Sequence, residues 1–362
     1  MICAGGTGGG VYPALAVLEA LNAERADVQT LWVGGEGGVE ARLVERAGVP
    51  FKAIPAAGLH GVGLRHLPGN LLKLARGAAT SRRILHAFRP DAIFFTGGYV
   101  AVPMALAGMQ VPTLLYVPDV EPGLALRTLA RFADRIAVTA EESRRYFRRR
   151  ARLAVTGYPV RPGLARWTRP EARRTLGLPA DGPVLLAFGG SKGARSLNNA
   201  VLANLPALLD LADLVHVTGE LDWPAMQEKA KSLNAAQAAR YHAFAYLHEE
   251  MGAALAAADL AISRAGASAL GEYPLFGLPA ILVPYPYAWR YQKVNADFLT
   301  GRGAALLLED AQLQESLLPA VKNLLADPSR LDSMRAAMRS LSRPDAASVI
   351  GRLVLDLAGK RR

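Results

Sequence analysis

Two glycine-rich stretches, Gly5-Gly6-Thr7-Gly8-Gly9-Gly10 and Gly189-Gly190-Ser191-Lys192-Gly193, stand half a chain apart, each where a short apolar run hands over to a helical pattern. Glycines there let the backbone turn tightly and come close to a ligand, and the helix N-terminus that follows carries partial positive charge. A chain that repeats this device is constrained to two similar, doubly wound α/β halves. Strands are expected at 92–95, 113–117, 135–139, 153–156, 184–188, 214–217, 260–263 and 280–283. Between them lie segments with helical spacing, such as Leu15, Leu18 and Leu21. Near-continuous apolar strands alternating with helices imply parallel sheets covered on both faces. Only Met1–Ala4 precede the first glycine turn, so a first strand there is stunted.

At 362 residues the chain is too long for one compact core. The Gly157-Tyr158-Pro159-Val160-Arg161-Pro162-Gly163 stretch marks the division. The expected domains are 1–157 and 158–340. The tail, 341–362, carries a helix over 346–357 that packs back on the first domain. With 51% apolar and 20% charged residues the chain is not disordered. No run of about 18 apolar residues exists, so no membrane-spanning helix is expected. The start lacks a basic region followed by an apolar segment, so no secretory leader is expected. The single cysteine, Cys3, excludes an internal disulfide, and the six histidines lack zinc-ligand spacing. The cytoplasm is the expected compartment. Lys and Arg outnumber Asp and Glu by 42 to 31, and the resulting +11 favours an anionic partner.

Neither glycine turn is a dinucleotide fingerprint in register, and neither ends in the Gly-Lys-Ser/Thr of a nucleoside-triphosphatase loop. Phe95-Thr96-Gly97-Gly98-Tyr99-Val100 follows the same strand-to-helix logic. In the second turn, backbone N–H groups and the Ser191 hydroxyl suit a diphosphate. Ser263-Arg264-Ala265-Gly266-Ala267-Ser268-Ala269-Leu270-Gly271-Glu272 ends a strand and opens a helix that stops at Gly277, with Glu272 near its second turn.

Together with Gly277-Leu278-Pro279-Ala280, Gln292-Lys293-Val294-Asn295-Ala296 and Leu197-Asn198, these stretches resemble the peptidoglycan N-acetylglucosaminyltransferase family, inverting GT-B enzymes that convert lipid I to lipid II. The resemblance runs from Ala4 to about Leu357. It implies two Rossmann-like domains facing a cleft, a UDP-N-acetylglucosamine donor and a polyprenyl-diphosphate acceptor, lipid I. It places Ser191 on the diphosphate, with Ala267, Ser268, Ala269, Leu270, Gly271 and Glu272 forming the nucleotide wall. Glu272 would bind ribose hydroxyls, Gln292 the N-acetylglucosamine, Arg161 the donor, and His248 uracil through its backbone. Thr7, Gly8 and Gly9 would close the site from the first domain. No cofactor and no metal are implied, helix N-termini serving where other transferases use a cation.

The chain departs from the family where a base is needed. The family's histidine after the first glycines is Gly10 here, its His-Glu-Gln-Asn reads Tyr116-Val117-Pro118-Asp119, and a later histidine is Tyr287. An inverting transfer needs a base at the sugar hydroxyl and stabilisation of the departing diphosphate. Asp119, at the family's Asn position, is the expected base, with Glu121 second. An extended 119–121 segment would put both carboxylates on one strand face.

Arg144, Arg145, Arg148, Arg149, Arg150 and Arg152 crowd around Tyr146 and Phe147, and Leu67, Leu71, Leu72 and Leu74 accompany Lys73 and Arg76. Both stretches suit the cytoplasmic face of an anionic membrane, which the resemblance expects for a peripheral enzyme of cell-wall synthesis. No nucleic-acid motif accompanies the charge. Two other readings fit the same residues: a GT-B transferase for another lipid acceptor, and a sugar-nucleotide-binding protein without catalysis.

Overall fold

The structure is a computed structural model that describes residues 1–6, 8–38, 40–57, 67–148, 152–190, 193–287 and 291–359. Thr7, Ser191, Arg149 and Arg150 of the expectations above lie outside the described residues. The chain divides into two units, Met1–Arg161 with Pro344–Arg362, and Pro162–Arg343. The first boundary falls four residues later than expected at 157, because Arg161 stacks on the Tyr12 ring at 4.5 Å and keeps 158–161 with the first unit.

Among the described residues the first unit holds seven strands: β1 (Ile2–Ala4), β2 (Trp32–Gly35), β3 (Phe51–Ile54), β4 (Ile93–Gly97), β5 (Thr113–Val117), β6 (Arg135–Val138) and β7 (Leu153–Val155). They pair in the order β3-β2-β1-β4-β5-β6-β7, all parallel. The second unit holds β8 (Val184–Phe188), β9 (Asp213–Val217), β10 (Tyr241–Phe244), β11 (Leu260–Ser263), β12 (Ala280–Leu282) and β13 (Ala305–Leu307), parallel in the order β10-β9-β8-β11-β12-β13. Each order reverses beside the strand that carries the glycine turn, between β1 and β4 and between β8 and β11. Ligands of open α/β sheets sit outside the strand C-termini at that reversal.

Alternation along the strands builds both faces of the first sheet. Cys3, Val33, Phe95, Leu115 and Val117 enter one core; Ile2, Ala4, Trp32, Phe94, Leu114 and Tyr116 enter the other. The second core receives the helix Ala346–Gly359, which lays Ile350 and Leu357 against Val17, Leu18 and Leu21 of the helix Gly8–Glu24. In the second unit, Leu185, Leu214, Ile262 and Ile281 meet Leu197, Val201, Leu317 and Val321 from the covering helices.

Four strands escape sequence reading. β2 is half glycine, β3 and β10 mix polar with apolar residues, and β13 has three residues; each is a strand because a parallel neighbour supplies its hydrogen bonds. The basic cluster is no exposed aromatic–basic helix. Glu141–Tyr146 is a 3-10 turn, Phe147 is buried in the first unit's core, and Tyr146 lies between the guanidinium groups of Arg127 and Arg145. Arg144 pairs with Glu141 at 2.6 Å, and Arg152 donates to the Ala133 carbonyl.

Candidate active site

In the first unit, the helix after β1 starts at Gly8, so Gly8, Gly9 and Gly10 form its first turn. The first N–H groups of a helix lack partners within it, which leaves this turn open to an anion. Gly6 has φ +89°, a conformation only glycine adopts readily. The β4 turn comes so close that a Cβ on Gly98 would collide with the Gly5 carbonyl. Thr96 Oγ1 donates to the Gly10 carbonyl at 2.6 Å, joining the two turns. Gly10 is buried, with the nearest atoms 3.6 Å from where its Cβ would be, so the backbone would accommodate a side chain here.

Beneath the first turn lies Glu40, which sequence reading missed. It is 1% exposed. Its Oε2 accepts from the Gly6 N–H at 3.1 Å and its Oε1 from the Gly35 N–H at 2.8 Å. Burial first, and the Glu40 charge second, push the neighbouring Cys3 thiol up.

Residues 118–121 form a bend after β5, not a strand, so Asp119 and Glu121 share no strand face. The cause is a set of hydrogen bonds that curl the chain: Thr139 Oγ1 donates to the Pro118 carbonyl at 2.7 Å and Ser143 Oγ to the Val120 carbonyl at 2.8 Å. Glu121 is 2% exposed and accepts from Arg127 Nη2 at 2.6 Å, while Arg127 Nε donates to the Pro122 carbonyl. Asp119 is half-buried on the same bend. Tyr116, whose hydroxyl meets Thr139 Oγ1 at 2.7 Å, is pushed up by burial, against that hydrogen bond and with a smaller push from the Asp119 charge.

In the second unit, Gly190 and Gly193 close a tight turn, the Gly193 N–H donating to the Gly190 carbonyl at 2.8 Å, before the helix Arg195–Ala203. A Cβ on Gly189 would lie 2.6 Å from the Ala194 nitrogen. The helix is anchored by Asn198, which donates to the Thr218 carbonyl and to Asp222 Oδ2, both at 2.8 Å. Asn198 Oδ1 also meets His216 Nε2 at 3.1 Å, and His216 Nδ1 meets the Tyr241 hydroxyl at 3.0 Å. Burial pushes the His216 pKa down to about 4, so the ring is neutral.

After β11 the chain makes a 3-10 turn, Ala267–Leu270, and the α-helix Glu272–Phe276, which ends at Gly277 with φ 61°. Glu272 therefore opens the helix instead of standing in its second turn, because Gly271 at φ −127° interrupts the winding. Ala267, Ala269, Leu270 and Gly271 are buried, and Ser268 and Glu272 are only half-buried. Behind this wall, Asn295 Nδ2 donates to the Ala265 carbonyl at 3.1 Å, and Gln292 Oε1 accepts from the Tyr285 N–H at 2.8 Å. The structure thus brings the 267–272 wall and the helix of Gln292 together. His248 is exposed beside Tyr246, ring centroids 4.6 Å apart, beyond β10. Arg264, given no role by sequence reading, joins Asp310 at 2.5 Å, Ser196 Oγ at 2.6 Å and the Val283 carbonyl at 3.1 Å, so it ties three ends of the second switch point.

The chain matches the glycosyltransferase family 28 N-terminal domain over residues 1–138 and the glycosyltransferase family 28 C-terminal domain over residues 184–350. The UDP-N-acetylglucosamine--N-acetylmuramyl-(pentapeptide) pyrophosphoryl-undecaprenol N-acetylglucosamine transferase of Roseiflexus sp. (strain RS-1) is 42% identical, over 99% of this chain and 94% of its own. The enzyme of the same name from Desulforudis audaxviator (strain MP104C) is also 42% identical, over 99% and 98%. The crystal structure of Acinetobacter baumannii MurG superposes with a TM-score of 0.75 at 26% identity, covering 98% of each chain. Two parallel, doubly wound units with glycine turns at their switch points, and relatives this similar over the whole chain, place it in the GT-B class, and the chain belongs to this family of N-acetylglucosamine transferases within glycosyltransferase family 28.

Proposed function

We propose that the chain transfers N-acetylglucosamine from UDP-N-acetylglucosamine to undecaprenyl-diphospho-N-acetylmuramoyl-pentapeptide, lipid I, giving lipid II for peptidoglycan synthesis with inversion at the anomeric carbon. The full-length identity to transferases of that name carries this assignment, and the donor-side geometry supports it. The turn at Gly190–Gly193 with the helix Arg195–Ala203 suits the diphosphate, for which Ser191 is the expected partner. Ala267, Ser268, Ala269, Leu270 and Gly271 wall the nucleotide; Glu272 takes ribose hydroxyls, and Gln292, its Oε1 already held by Tyr285, turns its NH2 to the sugar. His248 contributes its backbone to the base. Thr7, Gly8, Gly9 and Arg161 serve from the first unit.

In the reaction the acceptor hydroxyl attacks the anomeric carbon, its proton passes to a base, and the bond to the UDP oxygen breaks. Asp119 is that base. Glu121, buried and tied to the half-exposed Arg127, shapes the bend that presents it. The expected readout is transfer of labelled N-acetylglucosamine to a short-chain lipid I analogue, undiminished by chelator. Replacing Asp119 by Ala should lower kcat by roughly 10²–10⁴ with donor KM kept. Near-native turnover of that variant removes Asp119 from the role, and donor binding without transfer by the wild type points to another acceptor.

The first unit also carries the membrane contact. The helix Leu67–Phe88 exposes Leu71 and Leu72, 56% and 54%, beside Lys73 and Arg76. It packs along the helix Ala101–Ala107, Gly77 against Pro103 and Gly108 against Leu85. Leu106, Met109 and Phe132 are also exposed on the first unit, and Met109 and Phe132 line a cavity of about 220 Å³ together with Phe95, Leu115 and Leu129. Apolar side chains flanked by cations fit the anionic cytoplasmic face of a membrane.

A further inference from the structure

We propose that a cavity at the N-terminal edge of the second unit's sheet binds a phosphate group carried on an apolar body, with Arg169, Arg335 and Arg339 supplying the charge. The site stands apart from the second glycine turn and does not depend on the reaction proposed above.

The cavity holds about 340 Å³ and lies where Ala165–Arg169, the helix Met251–Ala257, the helix Glu272–Phe276 and the helix Pro328–Ser340 converge. Of its lining residues, Ala258 stands just before β11 and Gly277 just before β12, so the cavity sits at the strand starts. The turn Gly190–Gly193 follows the opposite end of β8. The wall has two characters: Trp167, Leu275 and Phe276 are apolar, and the three arginines are cationic. Among the described residues no carboxylate lines it. An apolar wall with a few convergent charged groups is the usual build of a site for a small organic ligand.

Positive charge exceeds negative at this edge. Asp259 is shared by three guanidinium groups: Arg169 Nη2 donates to its Oδ1 at 2.6 Å, Arg173 Nη2 donates to its Oδ2 at 3.2 Å, and Arg335 Nη2 stands 3.5 Å from Oδ1. The Val184 N–H donates to Oδ2 as well, at 3.0 Å. Arg335 has a second carboxylate in Asp332, at 2.7 Å, which is 73% exposed. Arg339 has none: among the described residues its guanidinium makes no ion pair and no hydrogen bond. Four arginines thus meet two carboxylates, neither of which lines the cavity.

Arg339 is nonetheless held in place. Its stem lies across Gly277, where a Cβ would fall 2.5 Å from Arg339 Cγ and 2.6 Å from Nε. Glycine at 277 therefore serves both the left-handed helix stop and this contact. Trp167 is fixed too, with the Arg166 guanidinium over its ring at 5.0 Å and its Cδ1 2.7 Å from where a Cβ on Gly252 would be. An arginine with a packed stem and an unpaired fork loses little freedom when an anion arrives. Phosphate oxygens can accept from more than one fork at once, while an apolar body covers Trp167 and Phe276.

The test uses the full chain with UDP in excess. Phenyl phosphate should change the fluorescence of Trp167, and Trp167→Phe should remove that change. By equilibrium dialysis it should bind about tenfold more tightly than inorganic phosphate, because the ring adds buried apolar area. Arg339→Gln should weaken it about tenfold, the loss of one hydrogen bond to charge, and Arg339→Lys should fall between the two. An unchanged urea midpoint in both variants will show that they fold. A second arm asks where the phosphate comes from, by co-sedimentation with phosphatidylcholine vesicles with and without phosphatidic acid. Binding that needs phosphatidic acid and weakens in Arg339→Gln assigns a lipid phosphate; dependence on Arg339 with phenyl phosphate alone assigns a soluble one. Indifference to Arg339→Gln in both arms overturns the proposal, as does a wild type that binds in neither.

Discussion

His216 shows how one side chain can set an acid limit on the second unit. Fully buried between Asn198 and Tyr241, it has a pKa pushed down to about 4 by desolvation. The unfolded chain takes up a proton on this residue near 6.5 and the folded chain only near 4. Stability from the neutral ring is therefore full above pH 6.5 and falls as pH drops toward 4, by on the order of 3 kcal/mol. Urea unfolding between pH 7 and 4 should show this slope, and His216→Gln should flatten it. The same residue matters to the second glycine turn, because the Asn198 that it orients anchors the helix after Gly193. An equal slope in the variant would move the acid sensitivity to other groups.

At the scale of the element, the helix Leu67–Phe88 is the sharpest case of a segment whose sequence serves something other than the core. Its Leu71 and Leu72 are more than half exposed although each could gain about 1.5–3 kcal/mol by full burial. Lys73 and Arg76 beside them would each add about 1 kcal/mol at an anionic surface. Purified protein should co-sediment with vesicles containing anionic lipid and should leave them at high salt. Leu71→Ser with Leu72→Ser should weaken that binding roughly tenfold or more while transfer to a water-soluble acceptor analogue is kept. Equal binding by the double variant would take this helix out of the contact. The Glu141–Tyr146 turn makes the opposite point. Its Arg144 and Arg145, and Arg152 beyond it, look membrane-seeking in sequence, yet Glu141, Tyr146 and the Ala133 carbonyl engage them.

On the scale of the whole molecule, the chain returns to its first unit after finishing the second. The helix Ala346–Gly359 seats Ile350 and Leu357 in the core formed by Val17, Leu18 and Leu21, and Gly351 lies against Leu21. Those two side chains alone represent roughly 3–6 kcal/mol of burial, a large part of the about 5–15 kcal/mol that stabilises a domain. A chain ended at Arg343 should therefore unfold its first unit at much lower urea while the second unit keeps its midpoint. Two transitions followed by circular dichroism and by tryptophan fluorescence would separate them: Trp32 is buried in the first unit, and Trp167 and Trp223 belong to the second. Coincident, unshifted transitions would show that the helix is dispensable.

Much of this was legible in the residues themselves. Parallel pairing demands apolar strands, and runs such as Phe94–Phe95 and Leu114–Leu115 announced β4 and β5, while the paired glycine turns announced two doubly wound units. The stop at Gly277 was legible too, because a left-handed residue there needs glycine. What escaped was whatever depends on a partner distant in sequence. β3 and β10 are strands only through β2 and β9. The bend at Asp119 exists because Thr139 and Ser143 take its carbonyls, and Glu121 has a different standing from Asp119 because Arg127 reaches it. Glu40 reads as an ordinary helical glutamate until the turns after β1 and β2 close over it. The sequence by itself determined the fold class, since periodicity and glycine placement act locally. Only the tertiary structure decided which charged groups are buried and what they hold, since burial and hydrogen bonding of a side chain are properties of its neighbours in space.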